Sequence, residues 1–365
     1  MTKELLFIAP TEGPQGYEVH ARNLLLALSK REKDIKIQLK SLYWGSTVKK
    51  DNTMLQALMK LHKNVVSEKA PALFLCVPNQ IDFPPNRQIF NYTTFEADKI
   101  CQQWQLVGNS IRLTLVTSPF LKKIWTDSGV EAAKVEPVAE GVDMDMYNPL
   151  VEALPLRENG DLLAETYKNR FFAIMELTNR KNLLGLIEAF GKAFGGDKET
   201  CLIIKVTGFE LAELKMKALA SDANIFIYEP FLPDYIMPRL LAIGTHYVSM
   251  SHGEGWDLNC AAMGAMKRTI VVPNHTAYGD YLDKDKAFLI NASKKIPAIQ
   301  NPPLNRLFEG CNWWVPDEDD AIDKMRASIK SDNKEKKENL YKVLKEKYTW
   351  EHSADKFIDV MKRYL

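Results

Sequence analysis

Short, continuous apolar runs alternate along the chain with longer stretches in which apolar residues recur every three to four positions. Runs of this length suit strands buried on both faces of a parallel sheet, and the longer period suits helices covering those faces. The pattern predicts strands near 4–9, 35–42, 72–77, 88–93, 112–117 and 134–139, with helices near 17–30, 53–67 and 119–128. It restarts at Phe171-Phe172-Ala173-Ile174-Met175 and continues through Leu202 to Val206, Ile225 to Tyr228, Tyr247 to Met250 and Thr269 to Val272. Two doubly wound α/β domains follow from this alternation. Between them Pro149 to Asn169 is polar, holds Pro155 and Gly160 and loses the strand pattern, so a boundary falls there. We divide the chain into residues 1–160, 161–348 and a closing helix, 349–365. In that last segment Trp350, Ala354, Phe357, Ile358 and Met361 form a helical apolar stripe that must bury against something. The Lys-rich run Lys334 to Lys347 reads as a solvated helix face.

Length agrees with this division, since 365 residues is enough for two sizeable cores. Charge narrows the partners: 48 Lys and Arg balance 47 Asp and Glu, which leaves no electrostatic handle for nucleic acid. No apolar run approaches the roughly 18 residues of a membrane span, so peripheral membrane contact is the most that is expected. The opening Leu5 to Ala9 follows Glu4 and is too short for a signal peptide. Five cysteines, an odd number without CxxC spacing, predict neither a disulfide framework nor a thiolate metal site, and fit a reducing cytoplasm. The six histidines lack metal-ligand spacing, so no metal or other cofactor is expected. Ser-His-Asp hydrolysis lacks its GxSxG elbow.

Three strand-to-helix loops hold candidate chemistry. The first, Ala9 to Tyr17, contains Gly13 and Gly16; it is not GxGxxG, and is either a plain turn or a place where backbone N–H groups approach an anion. The second, Met175 to Asn182, sets Arg180 and Lys181 beside a helix N-terminus, where the dipole favours negative charge. A bound phosphate would resolve that misfit; a solvated basic pair is the alternative. The third is Ser251-His252-Gly253-Glu254-Gly255-Trp256-Asp257-Leu258, ahead of a helix whose Ala261, Ala262, Gly264 and Ala265 are unusually small. Flanking glycines leave Glu254 free to point into a cleft, unless it serves only the helix dipole. The small helix face permits either close packing or a ligand over the helix start.

Taken in order, these segments resemble the retaining glycosyltransferases of family 4, which have the GT-B architecture of two facing Rossmann-like domains. The matching pieces are Gly16 to Leu24, Tyr92-Thr93-Thr94-Phe95-Glu96, Thr117 to Phe120, Glu140 to Asp143 with Tyr147 to Pro149, Arg180-Lys181-Asn182, Ser251 to Leu258, and Trp350 in the closing helix. The resemblance covers nearly the whole chain. It implies transfer of a sugar from a nucleotide diphosphate donor, UDP- or GDP-linked, to an acceptor hydroxyl on a glycan, a lipid-linked or another molecule. Anomeric configuration would be retained without a metal, in polysaccharide or glycoconjugate synthesis.

On this resemblance the donor sits on the second domain, the acceptor on the first, and the closing helix crosses back to the first. Glu254, Arg180 and Lys181 would be catalytic. Gly16, Thr178, Phe231, His252, Gly253, Gly255, Trp256, Asp257 and Leu258 would join them around the donor, with Phe231 either a wall for the base or a packing residue. Tyr17, His20 and Glu96 would lie on the acceptor side. Negative charge grows on the departing diphosphate as the anomeric bond breaks, so Arg180, Lys181 and the N–H groups of Gly255 to Leu258 would lower the barrier. Glu254 would hold sugar hydroxyls, and a phosphate oxygen would take the acceptor's proton. The chain departs from the family at Ala262, where a second glutamate is usual, at Glu176, where an arginine is usual, and at Asp257, which replaces a glycine. These departures motivate a second reading, a catalytically silent GT-B protein that binds a glycan or a partner.

Overall fold

The computed structural model describes residues 3–45, 47, 51–158, 160–207, 211–230, 232–300 and 304–365. Its first half runs β1 (Lys3–Pro10), α1 (Gly16–Ser29), β2 (Ile35–Leu42), α2 (Asn52–Lys63), β3 (Ala72–Leu75), β4 (Ile89–Thr93), α3 (Gln102–Ser110), β5 (Leu113–Val116), α4 (Pro119–Asp127) and β6 (Val135–Pro137). All six strands are parallel, in the order β2-β1-β3-β4-β5-β6, with Phe7 level with Leu39 on one side and Leu73 on the other. Leu5, Phe7, Leu73 and Phe90 are fully buried, which is why these strands read as continuous apolar runs.

A short hairpin of β7 (Arg157–Glu158) and β8 (Asp161–Leu162), with a helical turn α5 (Leu163–Thr166), occupies the polar stretch between the sheets. The second sheet then builds from β9 (Asn169–Glu176), α6 (Leu183–Phe194), β10 (Thr200–Thr207), α7 (Ala212–Leu219), β11 (Asn224–Tyr228), α8 (Met237–Leu241), β12 (His246–Val248), α9 (Leu258–Ala265), β13 (Thr269–Pro273), α10 (Tyr278–Tyr281) and β14 (Phe288–Ile290). Its order is β11-β10-β9-β12-β13-β14, again parallel. The order reverses between β9 and β12, so the loops leaving those two strands border one crevice, the usual ligand position in such sheets.

An excursion follows, an antiparallel pair of β15 (Lys294–Pro297) and β16 (Asn312–Val315), and then α11 (Glu318–Ser328), α12 (Lys334–Lys347) and α13 (Trp350–Met361). The Lys-rich α12 is solvated on one face, but Leu340 and Leu344 are buried against Gly264, where a Cβ would meet Leu340 at 2.7 Å. The small face of α9 therefore serves close packing. Helix α13 crosses back to the first domain: Trp350, Ala354, Phe357, Ile358 and Met361 share one core with Leu5, Phe7 and Leu24. Phe357 lies 6.2 Å from the Phe7 ring and 6.5 Å from Tyr92. Burial of a Phe, Ile or Met side chain contributes about 1.5–3 kcal/mol, so this stripe fixes the helix firmly. Where the chain crosses between domains, Val142 bridges Thr349 and its N–H donates to Tyr348 O at 2.8 Å. The expected pair of facing Rossmann-like domains with a returning helix is thus the architecture found. No helix among the described residues is long and apolar enough to cross a membrane.

Candidate active site

The reversal in strand order brings the second and third loops together. After β9 the chain turns through Asn179–Lys181 and enters a left-handed conformation at Asn182, φ 50°, whose Nδ2 donates to Met250 O at 3.1 Å. That turn aims Arg180 and Lys181 at the loop after β12. Lys181 Nζ lies 2.6 Å from Glu254 Oε1, and Arg180 Nη1 lies 3.1 Å from Oε2 while also donating to Gly253 O at 2.6 Å. From the first domain, Glu96 Oε1 approaches Arg180 Nη2 at 3.5 Å. Two cations thus sit between carboxylates supplied by both domains.

Burial alone would raise the Glu254 carboxyl, but Lys181 and then Arg180 outweigh it and hold the group down at about 2. Arg180 is half-buried, and the loss of water opposes its charge, yet Glu96 and Glu254 keep it firmly protonated. Glu96 moves the other way: burial raises it, and Arg180 only partly offsets burial and the nearby Glu254. The site therefore pairs a carboxylate that is ionised at all ordinary pH with one that is easier to protonate.

The flanking glycines do something other than free the Glu254 side chain. A Cβ on Gly255 would run into Thr94 Oγ1, and one on Gly253 into Glu96 O. They let the first domain's backbone press against the loop, and Thr117 Oγ1 donates to Gly255 O at 2.9 Å across the same contact. Behind it, Thr276 Oγ1 accepts the Glu254 N–H at 3.1 Å. His275 Nε2 bonds Ser251 O at 2.9 Å, and burial pushes His275 down to about 4, so it is neutral. Sequence reasoning missed His275 and Thr276, although their place just past strand β13 was a usable signal.

Two of the helix N-termini in these loops, those of α1 and α9, hold carboxylates of the chain itself. In the first loop, buried Glu18 accepts the N–H groups of Gly13 and Gln15 at 2.6 and 3.1 Å. Gly16 beside them is exposed, and a Cβ there would meet nothing within 4 Å. At α9, Asp257 adopts φ 84° and caps the helix, its Oδ1 accepting from Asn259 N and Cys260 N at 3.1 Å each. Its Oδ2 accepts from Tyr247 at 2.9 Å and Tyr278 at 2.6 Å. The N–H groups of Gly255, Trp256 and Leu258 find no acceptor among the described residues.

Other predicted residues divide between crevice and core. Thr178 precedes Arg180, with its hydroxyl buried and unpaired. His252 Nδ1 bonds Trp314 O at 2.9 Å. Leu258 is half-buried at the start of α9, whereas the Trp256 ring packs against Tyr281 and Tyr348 at 4.7 and 5.1 Å. Tyr17 Oη reaches Thr93 Oγ1 at 2.8 Å and accepts the Thr94 N–H at 3.0 Å, which places it two residues from Glu96. His20 is not brought to this group: it is buried, paired with Glu140 at 3.0 Å and packed between Tyr92 and Trp350. Of the departures, Ala262 lies in the second domain's core and Glu176 is exposed at the end of β9. Phe231 lies outside the described residues. No group of three or more His, Cys, Asp or Glu among the described residues could hold a metal ion.

The fold is GT-B. The chain is similar to the Anabaena protein HepE in complex with UDP and glucose, at 11% identity over 99% of this chain and 100% of that one, with a TM-score of 0.67. It is similar to a glycosyltransferase from Rickettsia africae, at 13% identity over 99% and 98%, TM-score 0.63. It also matches a variant of TarM from S. aureus in complex with fondaparinux, alpha-GlcNAc-glycerol and UDP, at 15% identity, TM-score 0.56; there it covers 80% of its own length and 55% of TarM. No family model and no curated protein matches the sequence.

Proposed function

We propose that this protein is a retaining glycosyltransferase that moves a sugar from a nucleotide diphosphate donor to an acceptor hydroxyl. The observation that carries this reading is the convergence of Arg180 and Lys181 on Glu254 at the strand-order reversal of the second domain, in a fold shared with proteins that hold UDP. Glu254 pairs with both cations, and Glu96 adds a second negative charge beside Arg180. A diphosphate competes for the cations, and the Glu254 carboxylate it releases is free to accept hydrogen bonds from the sugar's hydroxyls. As the anomeric bond breaks, Arg180 and Lys181 meet the charge that grows on the leaving diphosphate, the work a divalent ion does in other transferases. A leaving-group oxygen on the same face takes the acceptor's proton, which retains configuration. Tyr17 and Glu96 border the acceptor from the first domain. The setting we favour is polysaccharide or glycoconjugate synthesis in the cytoplasm, with a glycan or lipid-linked acceptor.

The carboxylates at the helix N-termini favour a second reading, a silent GT-B protein that binds a glycan or partner, because Glu18 and Asp257 put negative charge at the starts of α1 and α9, beside the N–H groups that a phosphate would use. Calorimetric titration with UDP and GDP, together with donor hydrolysis assays on UDP- and GDP-sugars, separates the two. The enzyme binds one nucleotide and hydrolyses its sugar slowly. In that case Lys181→Ala weakens the nucleotide by ~10-fold or more, the scale of one hydrogen bond to a charged group. Absence of binding at millimolar nucleotide supports the silent protein.

A further inference from the structure

We propose that the described residues of the excursion between β14 and α11, the β15–β16 ribbon and Phe308 above all, form a clasp that keeps the two domains closed and so positions Glu96 against Arg180 and Glu254. Its described parts tie together all three loops that form the charged group. Towards the first domain, Phe308 stacks on Phe95 with ring centroids 4.8 Å apart, and Phe95 is the residue before Glu96. Trp313 joins the same buried cluster, which extends to Trp104 and Trp125 of the first domain. Asp98 adds a polar seam: its carboxylate accepts the Asn312 N–H at 2.7 Å and Lys295 Nζ at 3.0 Å, and its own N–H donates to Asn312 O at 3.1 Å.

Towards the second domain, the Trp314 N–H donates to His252 O at 3.1 Å, two residues before Glu254. Asn179, beside Arg180, donates from Nδ2 to Ile299 O at 2.9 Å. A two-stranded ribbon is marginal by itself, so its order comes from docking on both domains at once. Interfaces between domains of one chain are ordinarily polar enough to permit relative motion. This one contains stacked, water-excluded aromatic rings on the flank of the cleft, which must separate before the cleft can open there. Glu96 is consequently held near Arg180 before any ligand arrives, and Phe308, which acts through Phe95, and Asp98, two residues past Glu96 in the chain, are positioning residues.

Small-angle scattering and UDP calorimetry on the full chain test this, and the second measurement rests on the proposed function. We expect the parent's scattering profile to be unchanged by saturating UDP. Phe308→Ala and Asp98→Ala, folded by circular dichroism, should be more extended without ligand, contract on UDP, and bind it ~10-fold more weakly if the closed fraction falls to about one tenth. Phe308→Leu should restore most of the parent behaviour. Asp98→Ala empties no core, so it carries the test if Phe308→Ala fails to fold. Variants that scatter like the parent, or a parent that itself contracts on UDP, overturn the clasp. If UDP fails to bind the parent the titrations are run with GDP, and only failure of both overturns the functional reading, while the ligand-free scattering still decides the clasp.

Discussion

Glu254 answers two cations at once, and that arrangement sets its behaviour with pH. Its carboxyl is held down from 4.5 to about 2 in the folded protein, so its contribution to stability is complete above pH 4.5 and disappears as the pH falls towards 2. Glu254→Gln leaves the poorly solvated Lys181 without its counter-charge and Arg180 with Glu96 alone. It should therefore be less stable than the parent at pH 7, with the gap closing between pH 4.5 and 2, as read from urea midpoints across that range. Under the proposed function the same substitution should lower turnover by ~10²-fold or more, because donor orientation goes with the charge. The convergence of Glu254, Arg180 and Lys181 was foreshadowed at this scale because a carboxylate between glycines and a pair of cations at a helix N-terminus, both in strand-to-helix loops, have few structural uses. Asp257 was not, since a capping aspartate and a ligand-facing one look alike until Tyr247 and Tyr278 are seen on its second oxygen.

Among the elements, α13 has the clearest energetic role. Phe357 is fully buried between Phe7 and Tyr92, so Phe357→Ala should cost about 3–5 kcal/mol and lower the melting temperature of the first domain. A thermal scan followed by tryptophan fluorescence measures it. That helix and the buried strands were visible in sequence for one reason: a long stripe or a continuous apolar run survives averaging over neighbours. Helix α3 and strands β14, β15 and β16 were overlooked. β15 is Lys-Lys-Ile-Pro with every residue exposed, and β16 is only four residues long; both owe their order to partners far away in the chain. The helix predicted near 53–67 stops at Lys63, where Asn64 turns extended and its Nδ2 bonds Ile37 O at 2.8 Å.

For the molecule as a whole, the two crossings between domains behave as one joint. A Cβ on Gly141 would collide with the backbone of Thr349 and Trp350, and neither can rotate aside. Gly141→Ala should therefore break the Val142–Thr349 bridge and separate the unfolding of the two halves. Two steps in a denaturant titration, with one step expected of the parent, are the sign to look for.

The return of α13 also imposes an order on biosynthesis. Trp350, Phe357 and Met361 complete a core whose other members, Phe7 and Leu24 among them, leave the ribosome first. Val138 is the last of these earlier members, and translating the roughly 200 residues from there to Trp350 takes ~10–40 s. Throughout that interval the newborn amino-terminal half presents an unfilled greasy furrow along α1, a natural landing place for chaperones.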